Sequence, residues 1–507
     1  MSNQYILALD QGTTSSRAIV FDNQARPVAQ AHRSIRQSYP EPGWVEHDGE
    51  EIWESQLAAV REALSSGQIN PEQIGSIGIT NQRETVLVWD PISGKPIHPA
   101  IVWQDRRTAP QCEALKERGL SKLVTDKTGL IIDAYFSATK ISWILDHVDG
   151  AREKASKGEL LAGTMDTWLI WKLTSGQVHA TDVTNASRTM LFNLDTRSWD
   201  EELLSELQIP RCILPTVCMS GHFYGMTDPK WLDGVAIPIH SVLGDQQAAL
   251  FGHTCLEAGS AKNTYGTGCF ILMNTGFERV TSSHGLLTTV AWGMGDEIYY
   301  ALEGSVFVAG AAVQWLEEGL GWIDEPAQSE WMASQVPTSD GVVVVPAFTG
   351  LGAPYWDMYA RGAIFGLTRG TTSNHIVRAT LESLAYQSRD VINAMEKDAG
   401  MPLKELRVDG GAVSNDLLMQ FQADILGAVV TRTENGETTA LGAALLAGLV
   451  SKVWSKEQLK QFNPAQRMFQ PLMDDEKKEK LYHVWQDAVR RTMGWEQHHF
   501  DSKVKDR

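Results

Sequence analysis

The sequence lacks the cysteine and histidine patterns of a disulfide-bonded or zinc protein. Its 507 residues include five cysteines with no CxxC pair, and its 13 histidines show no HxxxH or HExxH spacing. A catalytic zinc is therefore not predicted. An odd number of scattered thiols is typical of a reducing compartment, so we expect the protein in the cytoplasm.

Long apolar runs and excess positive charge are also missing. The start, MSNQYILALD, has no basic region, and its apolar stretch is too short for a signal peptide. The apolar segment at 440–450 is shorter than the ~20 residues of a membrane helix. The formal charge of -18 repels phosphate backbones and anionic lipid. We therefore expect no nucleic acid partner and no membrane insertion.

Common nucleotide-binding motifs are absent too. There is no GxxxxGK[ST], no HRD and DFG set, and no GxGxxG that opens a helix. If the protein binds ATP, it uses another architecture. At ~150 residues per domain, the length predicts two large domains or three smaller ones.

Two similar turns are present, one in each half of the chain. Strand-like runs at Tyr5–Leu9 and Ala18–Phe21 flank a Gly/Thr/Ser-rich turn, and Ala261–Thr264 and Phe270–Met273 flank TYGTG. Each pattern predicts two strands joined by a tight turn. The repeat suggests a duplicated α/β unit. We place the boundary near residue 250, giving domains at 1–250 and 251–507.

Further elements follow from local patterns. SIGIT and TVLVW predict another strand pair around Asn81, and Asp48 with Glu51 predicts a capping box for a helix over 49–65. Apolar periodicity predicts a helix at about 374–397. The Ala/Gly/Leu-rich segment 436–449 predicts a helix buried on all sides.

The first turn has the chemistry of an anion site. Asp10 ends a strand, Thr13, Thr14 and Ser15 offer consecutive amides and hydroxyls, and Arg17 adds a positive charge. An isolated turn of this kind is more often an ordinary hairpin. A second such turn at 266–268 favours a phosphate held between the two.

Two strand ends have alternative interpretations. Asp245 opens a helix after a strand, which suits either an N-cap or a carboxylate that accepts a proton from a hydroxyl. The pair Gly410 and Gly411 precedes a helix that begins near Asn415. Glycines there let a ligand approach the backbone, and a helix N-terminus favours an anion.

The segments DQGTTSSR, ITNQRET, WQDRRT, NTYGTGCF, FTGLGAPYWD and VDGGAVSND together resemble the FGGY carbohydrate kinase family, from Tyr5 to about Trp495. This resemblance implies an α/β fold with two ribonuclease-H-like domains of the actin and sugar-kinase superfamily. Mixed sheets flanked by helices would enclose an ATP cleft. It also implies a homo-oligomer, a dimer or tetramer, that phosphorylates glycerol to sn-glycerol 3-phosphate with ATP and Mg²⁺.

The resemblance also implies roles for individual residues. The nucleotide would contact Thr13, Thr14, Ser15, Arg17, Thr267, Gly310, Gln314, Gly411 and Asn415. Glycerol would contact Arg83, Glu84, Trp103, Tyr135, Asp245, Gln246 and Phe270. Asp10 would position Mg²⁺ through water, and Asp245 would be a metal-site residue and the general base.

Arg83 and Glu84 pose a geometric problem, because adjacent residues on a regular strand point to opposite faces. If both contact one ligand, the backbone must turn or bulge there. Otherwise one of them belongs to a surface ion pair that contributes little stability.

The resemblance weakens at 227–238, TDPKWLDGVAIP. Some family members bind fructose 1,6-bisphosphate there through a glycine-rich loop with an arginine, and Val235 stands near the place of that arginine. We therefore expect weak or absent inhibition. Two alternatives stay open: a kinase for another polyol or pentulose, and an ATP-driven conformational protein of the actin or chaperone type.

Overall fold

A computed structural model describes residues 5–497. The strands are, in chain order, β1 (Tyr5–Gln11), β2 (Ser15–Phe21), β3 (Pro27–Ser34), β4 (Glu46–His47), β5 (Ile74–Asn81), β6 (Val86–Asp90), β7 (Lys95–Pro96), β8 (Ala100–Ile101), β9 (Leu161–Thr164), β10 (Ala180–Asp182), β11 (Phe192–Asn193), β12 (Ser198–Trp199), β13 (Thr216–Cys218), β14 (Gly221–Met226), β15 (Pro238–Gly244), β16 (Ser260–Tyr265), β17 (Cys269–Gly276), β18 (Leu287–Met294), β19 (Glu297–Val306), β20 (Val343–Val345), β21 (Ala363–Phe365), β22 (Glu405–Gly410), β23 (Val430–Thr433) and β24 (Ala465–Phe469).

The α-helices are α1 (Gly49–Ser66), α2 (Ala109–Glu117), α3 (Ser121–Thr128), α4 (Ser137–His147), α5 (Ala151–Ser156), α6 (Met165–Leu173), α7 (Val183–Ala186), α8 (Glu201–Glu206), α9 (Asp245–Gly252), α10 (Gly310–Gln314), α11 (Gln328–Ser334), α12 (Ser373–Ala399), α13 (Asp416–Leu426), α14 (Thr438–Val450), α15 (Lys456–Leu459) and α16 (Asp475–Thr492). Between residues 5 and 497, no helix has both the length and the apolar character needed to cross a membrane.

One sheet of 13 strands runs through the molecule, in the order β24-β23-β22-β16-β17-β19-β18-β14-β15-β5-β1-β2-β3. Its two halves repeat one topology. In the first half β1 pairs antiparallel with β2 and parallel with β5, and β5 pairs parallel with β15. In the second half β16 pairs antiparallel with β17 and parallel with β22, and β22 pairs parallel with β23. This repetition confirms the predicted mixed α/β architecture.

Both predicted turn-linked strand pairs are present. The pairing places Asp10 opposite Arg17 across β1 and β2, and Thr264 opposite Phe270 across β16 and β17. Every residue of β1 after Tyr5 is buried, as expected for a central strand covered on both faces.

The strand pair predicted around Asn81 is wrong in its pairing. Both strands exist, but β5 lies in the large sheet between β1 and β15, whereas β6 pairs with β7, β8 and β9 in a separate five-stranded sheet. The chain changes sheets at Glu84, whose φ of 62° is in the left-handed region.

The predicted helices are confirmed with small shifts in their bounds. Asp48 caps α1 by accepting from the amides of Glu50 and Glu51. The Glu51 carboxylate instead accepts from the amide of Arg36, so the predicted capping box is only half formed.

Helix α14 is buried at most positions, as predicted, and packs against α9. A Cβ on Gly442 would lie only 1.8 Å from the carbonyl oxygen of Ala248, so the two helices contact through their backbones.

Candidate functional site

The carboxyl ends of three parallel strands define one edge of the sheet. Gln11 of β1 and Gly244 of β15 both align with Asn81 of β5. Asp10 and Asp245 therefore lie at this edge, where open α/β sheets bind their ligands.

Asp10 is a buried carboxyl group in a negative environment. Burial, together with the nearby carboxylates of Asp245 and Glu437, raises the pKa of Asp10 to about 6 despite the opposing charge of Arg17. A divalent cation would relieve this repulsion, so the donor set fits Mg²⁺. Within residues 5–497 no three acidic, histidine or cysteine side chains converge to hold a metal ion.

Arg17 connects the first turn to the second half of the chain. Its Nη1 donates to Oε2 of Glu437 at 3.0 Å, and its Nε lies 4.0 Å from Oδ2 of Asp10. Glu437 immediately precedes α14. The next residue, Thr438, donates its hydroxyl to Asp409 near the end of β22. The first turn and β22 therefore border the same region.

Trp103 and Tyr135 lie beside the first turn. The indole nitrogen of Trp103 donates to the hydroxyl of Thr13 at 3.0 Å, and its ring meets that of Tyr135 edge to face with 5.6 Å between centroids. Thr14 is exposed, and Ser15 accepts from the amide of Gly12 through its carbonyl at 2.9 Å. The Thr13 hydroxyl therefore lies beside Trp103 and Tyr135, two of the predicted substrate contacts.

Arg83 and Glu84 point to one place because the backbone turns. The left-handed φ of Glu84 removes the strand alternation, and both side chains are only 2% exposed. The surface ion pair considered for this position is therefore excluded. Arg83 Nε lies 3.2 Å from Oδ1 of Asp245 and 3.7 Å from Oε1 of Glu84.

Asp245 is not a helix cap. Gly244 occupies the N-cap position of α9, and no side chain caps that helix. Oδ1 of Asp245 accepts from the amide of Gln246 at 2.7 Å, and its side chain is 32% exposed. A carboxylate oxygen therefore stays accessible beside Arg83.

Sequence reasoning missed two buried charged residues at this site. Glu303 accepts from both terminal nitrogens of Arg83, at 2.6 and 2.8 Å, and Arg188 Nε donates to Oε1 of Glu84 at 2.6 Å. Glu303 lies in the otherwise uncharged stretch IYYALEGSV. A single charge inside a strand of this kind was the available signal.

Lys262 is a third missed residue. Its Nζ donates to Oε1 of Gln246 and, at 3.0 Å, to the hydroxyl of Thr264. Burial lowers the pKa of Lys262 to about 8. Since Phe270 pairs with Thr264, the predicted contacts Gln246 and Phe270 share this neighbourhood.

The second turn is held by the start of α10. The amide of Gly310 donates to the carbonyl of Gly266 at 3.0 Å, and a Cβ on Gly310 would lie 2.6 Å from that oxygen. Thr267 is exposed at the tip of the turn. Gln314 is exposed at the end of α10, where its amide donates to Glu318 at 2.8 Å.

Gly411 and Asn415 follow β22 at the sheet edge that carries the second turn. Gly410 aligns there with Tyr265, the last residue of β16. Asn415 caps α13 by accepting from the amide of Leu418 at 2.9 Å, and Gly411 is exposed. Next to them is an open cleft of about 490 Å³, lined by Val408, Asp409, Gly410, Val413, Ser414, Arg432, Thr433, Glu434, Asn435, Gly436 and Gln466. Its mixed backbone and polar lining can accommodate a nucleotide.

Two family descriptions match the chain. The N-terminal domain of the FGGY family of carbohydrate kinases matches residues 5–252, and its C-terminal domain matches residues 261–450. The chain belongs to the FGGY family of carbohydrate kinases. As an FGGY protein, it carries the paired domains that the repeated sheet topology predicts.

Relatives of this FGGY protein are similar over almost their whole length. It is 59% identical to glycerol kinase of Halorhodospira halophila, covering 98% of each chain. It is 60% identical to glycerol kinase of Carboxydothermus hydrogenoformans, covering 98% of this chain and 99% of the relative.

Solved structures agree with the fold. A Plasmodium falciparum glycerol kinase with ADP has a TM-score of 0.92 and 37% identity, covering 97% of this chain and 98% of that one. A xylulose kinase of Lactobacillus acidophilus has a TM-score of 0.87 at 21% identity, covering 96% of this chain and 98% of that one. The latter likeness concerns the fold alone.

Proposed function

We propose that this protein transfers the γ-phosphoryl group of ATP to a terminal hydroxyl of glycerol, giving sn-glycerol 3-phosphate and ADP. The observation that carries the proposal is the position of Asp245: accessible at the sheet edge, 3.2 Å from the buried Arg83, with Asp10 at the same edge. The full-length relatives named glycerol kinase and the ADP-bound structural neighbour support it.

In this proposal the polyol lies between Asp245 and the Arg83–Glu84 pair. Glu84 accepts hydrogen bonds from hydroxyls and Arg83 donates to them. Gln246 and Tyr135 add polar contacts. Trp103 and Phe270, both partly buried, form apolar walls. Asp245 accepts the proton of the attacking hydroxyl.

The nucleotide lies between the two turns and the cleft beside β22. Thr13, Thr14, Ser15 and Thr267 offer amides and hydroxyls to the phosphates, and Arg17 adds charge. Gly310, Gln314, Gly411 and Asn415 border the rest of the nucleotide. Phosphoryl transfer depends chiefly on positioning and charge neutralisation. Mg²⁺ would supply part of this neutralisation; Asp10 would hold it through water, and Asp245 would be the second residue of the metal site.

We also propose a division into units 1–250 and 251–507 that close over the substrates and exclude water. The boundary at 250 lies inside α9, which ends at Gly252, and the segment 253–259 then leads to β16 at Ser260. We also infer a dimer or tetramer from the family resemblance, and a cytoplasmic location from the scattered cysteines.

A coupled assay for ADP tests the reaction. We expect Mg²⁺-dependent ADP release that requires glycerol and does not occur at comparable rates with xylulose or gluconate. ADP release driven by xylulose or gluconate would instead identify a kinase for another polyol or pentulose. ATP hydrolysis without any acceptor would favour the actin- or chaperone-type alternative.

A further inference from the structure

Four charged side chains form a buried cluster under the proposed polyol site: Arg83, Glu84, Arg188 and Glu303. We call this the charge ring. Arg83 and Glu84 are 2% exposed, and the side chains of Arg188 and Glu303 are fully buried. Two positive and two negative groups balance each other, as buried charges require. Only Arg83 and Glu84 have a role in the reaction proposed above, on which this inference rests.

Glu303 holds the guanidinium of Arg83 in a fork. Its two oxygens accept from Nη1 at 2.6 Å and Nη2 at 2.8 Å, and Nη1 also donates to Oε1 of Gln247 at 3.1 Å. Both protons of Nη1 are therefore used. The second Nη2 proton and the Nε proton face the remaining side of the fork. A planar bidentate contact of this kind fixes direction as well as distance.

Arg188 plays the matching part for Glu84. Its Nε donates to Oε1 of Glu84 at 2.6 Å, and its Nη2 lies 3.2 Å from Oε1 of Glu303. The guanidinium also lies over the ring of Phe136, 5.2 Å from its centroid. Arg188 thus occupies one oxygen of Glu84 and leaves the other oxygen for a ligand.

The ring joins both halves of the fold. Glu303 lies on β19 of the second half, whereas Arg83 follows β5 of the first. Burial alone would raise the pKa of Glu303, but the guanidinium groups of Arg188 and Arg83 outweigh burial and lower it to about 2. Glu303 is therefore ionised at neutral pH.

We propose that Glu303 and Arg188 are positioning residues that set the preference for an acceptor with two adjacent hydroxyls. Glu303 holds Arg83 so that its Nε and second Nη2 protons face the acceptor. Without Glu303, the nearest carboxylate for Arg83 is Asp245, already 3.2 Å from its Nε. Arg83 would then turn towards the proposed base and leave the acceptor hydroxyls without an oriented donor.

The test compares two acceptors with the full-length protein. Glycerol has a middle hydroxyl beside each terminal one, whereas 1,3-propanediol lacks it. In Glu303→Gln we expect the KM for glycerol to rise about tenfold or more, as expected when a charged hydrogen bond is lost. The kcat/KM preference for glycerol over 1,3-propanediol should fall by a similar factor, with the KM for ATP unchanged. If Glu303 had only a structural role, kcat/KM would fall equally for both acceptors and the preference would stay the same.

Arg188→Lys gives a second test in a variant that keeps the buried charge. Lysine has a single nitrogen and cannot reproduce the separate contacts of Arg188 Nε with Glu84 and of Nη2 with Glu303, so the acceptor preference should again fall. Asp390→Asn is the matched control: this buried carboxylate of the second half accepts from Tyr482 and Trp485 at 2.6 and 2.7 Å. We expect it to lower stability and leave the preference unchanged. An unchanged preference in both ring variants would overturn the inference.

The proposed function can fail separately. Absence of glycerol-dependent ADP release in the unsubstituted protein would reject the reaction itself. Normal release there, with intact acceptor preference in the variants, would reject only the role of the ring.

Discussion

Arg17 Nη1 lies 3.0 Å from Oε2 of Glu437, although 420 positions separate the two residues in the chain. Both side chains are substantially exposed, at 43% and 38%. Ion pairs with this exposure contribute only ~0–1 kcal/mol to stability. The main effect of the pair is therefore to place the guanidinium of Arg17 beside Asp10, and its contribution to the stability of the fold is small.

Replacing Arg17 by Met should weaken nucleotide binding and leave stability nearly intact. A charge-assisted hydrogen bond contributes ~1.5–3 kcal/mol, so the KM for ATP should rise about tenfold or more. Arg26→Met is a control in the turn between β2 and β3, where the side chain of Arg26 is 67% exposed and donates through Nε and Nη2 to Asp22. Steady-state kinetics and urea unfolding measure both effects. An unaltered KM for ATP would exclude Arg17 from the phosphate site.

Asp10→Asn should abolish activity and raise the free energy of unfolding, and the rise should depend on pH. The pKa of Asp10 is raised from 3.8 to about 6 in the folded protein. The ionised form is therefore penalised by folding, and stability is highest below pH 3.8 and decreases as pH rises through 6. At pH 8 the asparagine removes this penalty, worth ~3 kcal/mol.

Urea unfolding at pH 8 and at pH 5 checks this prediction. The gain in unfolding free energy should be full at pH 8 and smaller at pH 5, while Mg²⁺-dependent turnover is lost at both. An equal gain at the two pH values would show that the burial of charge is not its cause.

Asp245→Asn should lower kcat by about 10²-fold or more, the usual range for a positioned general base. The glycerol KM should change much less, because the amide still contacts Arg83 and the acceptor. Stopped assays over a range of glycerol concentrations separate the two constants. Turnover at the original rate would reject the assignment of Asp245 as the base.

Gly442→Ala should destabilise the protein strongly. The new Cβ would overlap the carbonyl of Ala248 at 1.8 Å, and forcing α14 away from α9 costs ~1–3 kcal/mol or more. Gly370→Ala is the control, since the nearest atom there lies 3.8 Å away and φ is not positive. Thermal unfolding should separate the two variants. Equal midpoints would show that the helices can shift at no cost.

Fructose 1,6-bisphosphate should inhibit the reaction weakly or not at all. The segment at 227–238 carries Val235, whose apolar side chain packs against a buried cluster and offers no charge to a phosphate. The ADP assay with and without the sugar phosphate measures this. Clear inhibition would mean that the site lies elsewhere or does not need the arginine.

The sequence predicted elements whose causes are local. The cap at Asp48, the two turn-linked strand pairs and the period of α12 depend on neighbours within a few residues. The six quoted segments identified the family. Two of them contain Asp10, close to the end of β1, and Thr267, just after β16. Asp245 was recognised separately, as the residue that opens a helix directly after a strand.

Only the tertiary structure decided which distant groups meet. No local pattern shows that Glu303 accepts hydrogen bonds from Arg83, 220 positions away, or that Arg17 donates to Glu437. Nor does one show that Glu84 leaves the strand conformation. Burial turns the charges of Arg83 and Glu303 from solvated side chains into obligatory partners, and their burial depends on how the two halves of the sheet pack. The amino-acid sequence by itself determined the turns and strand ends. Tertiary packing determined the orientation of the groups proposed to bind the polyol.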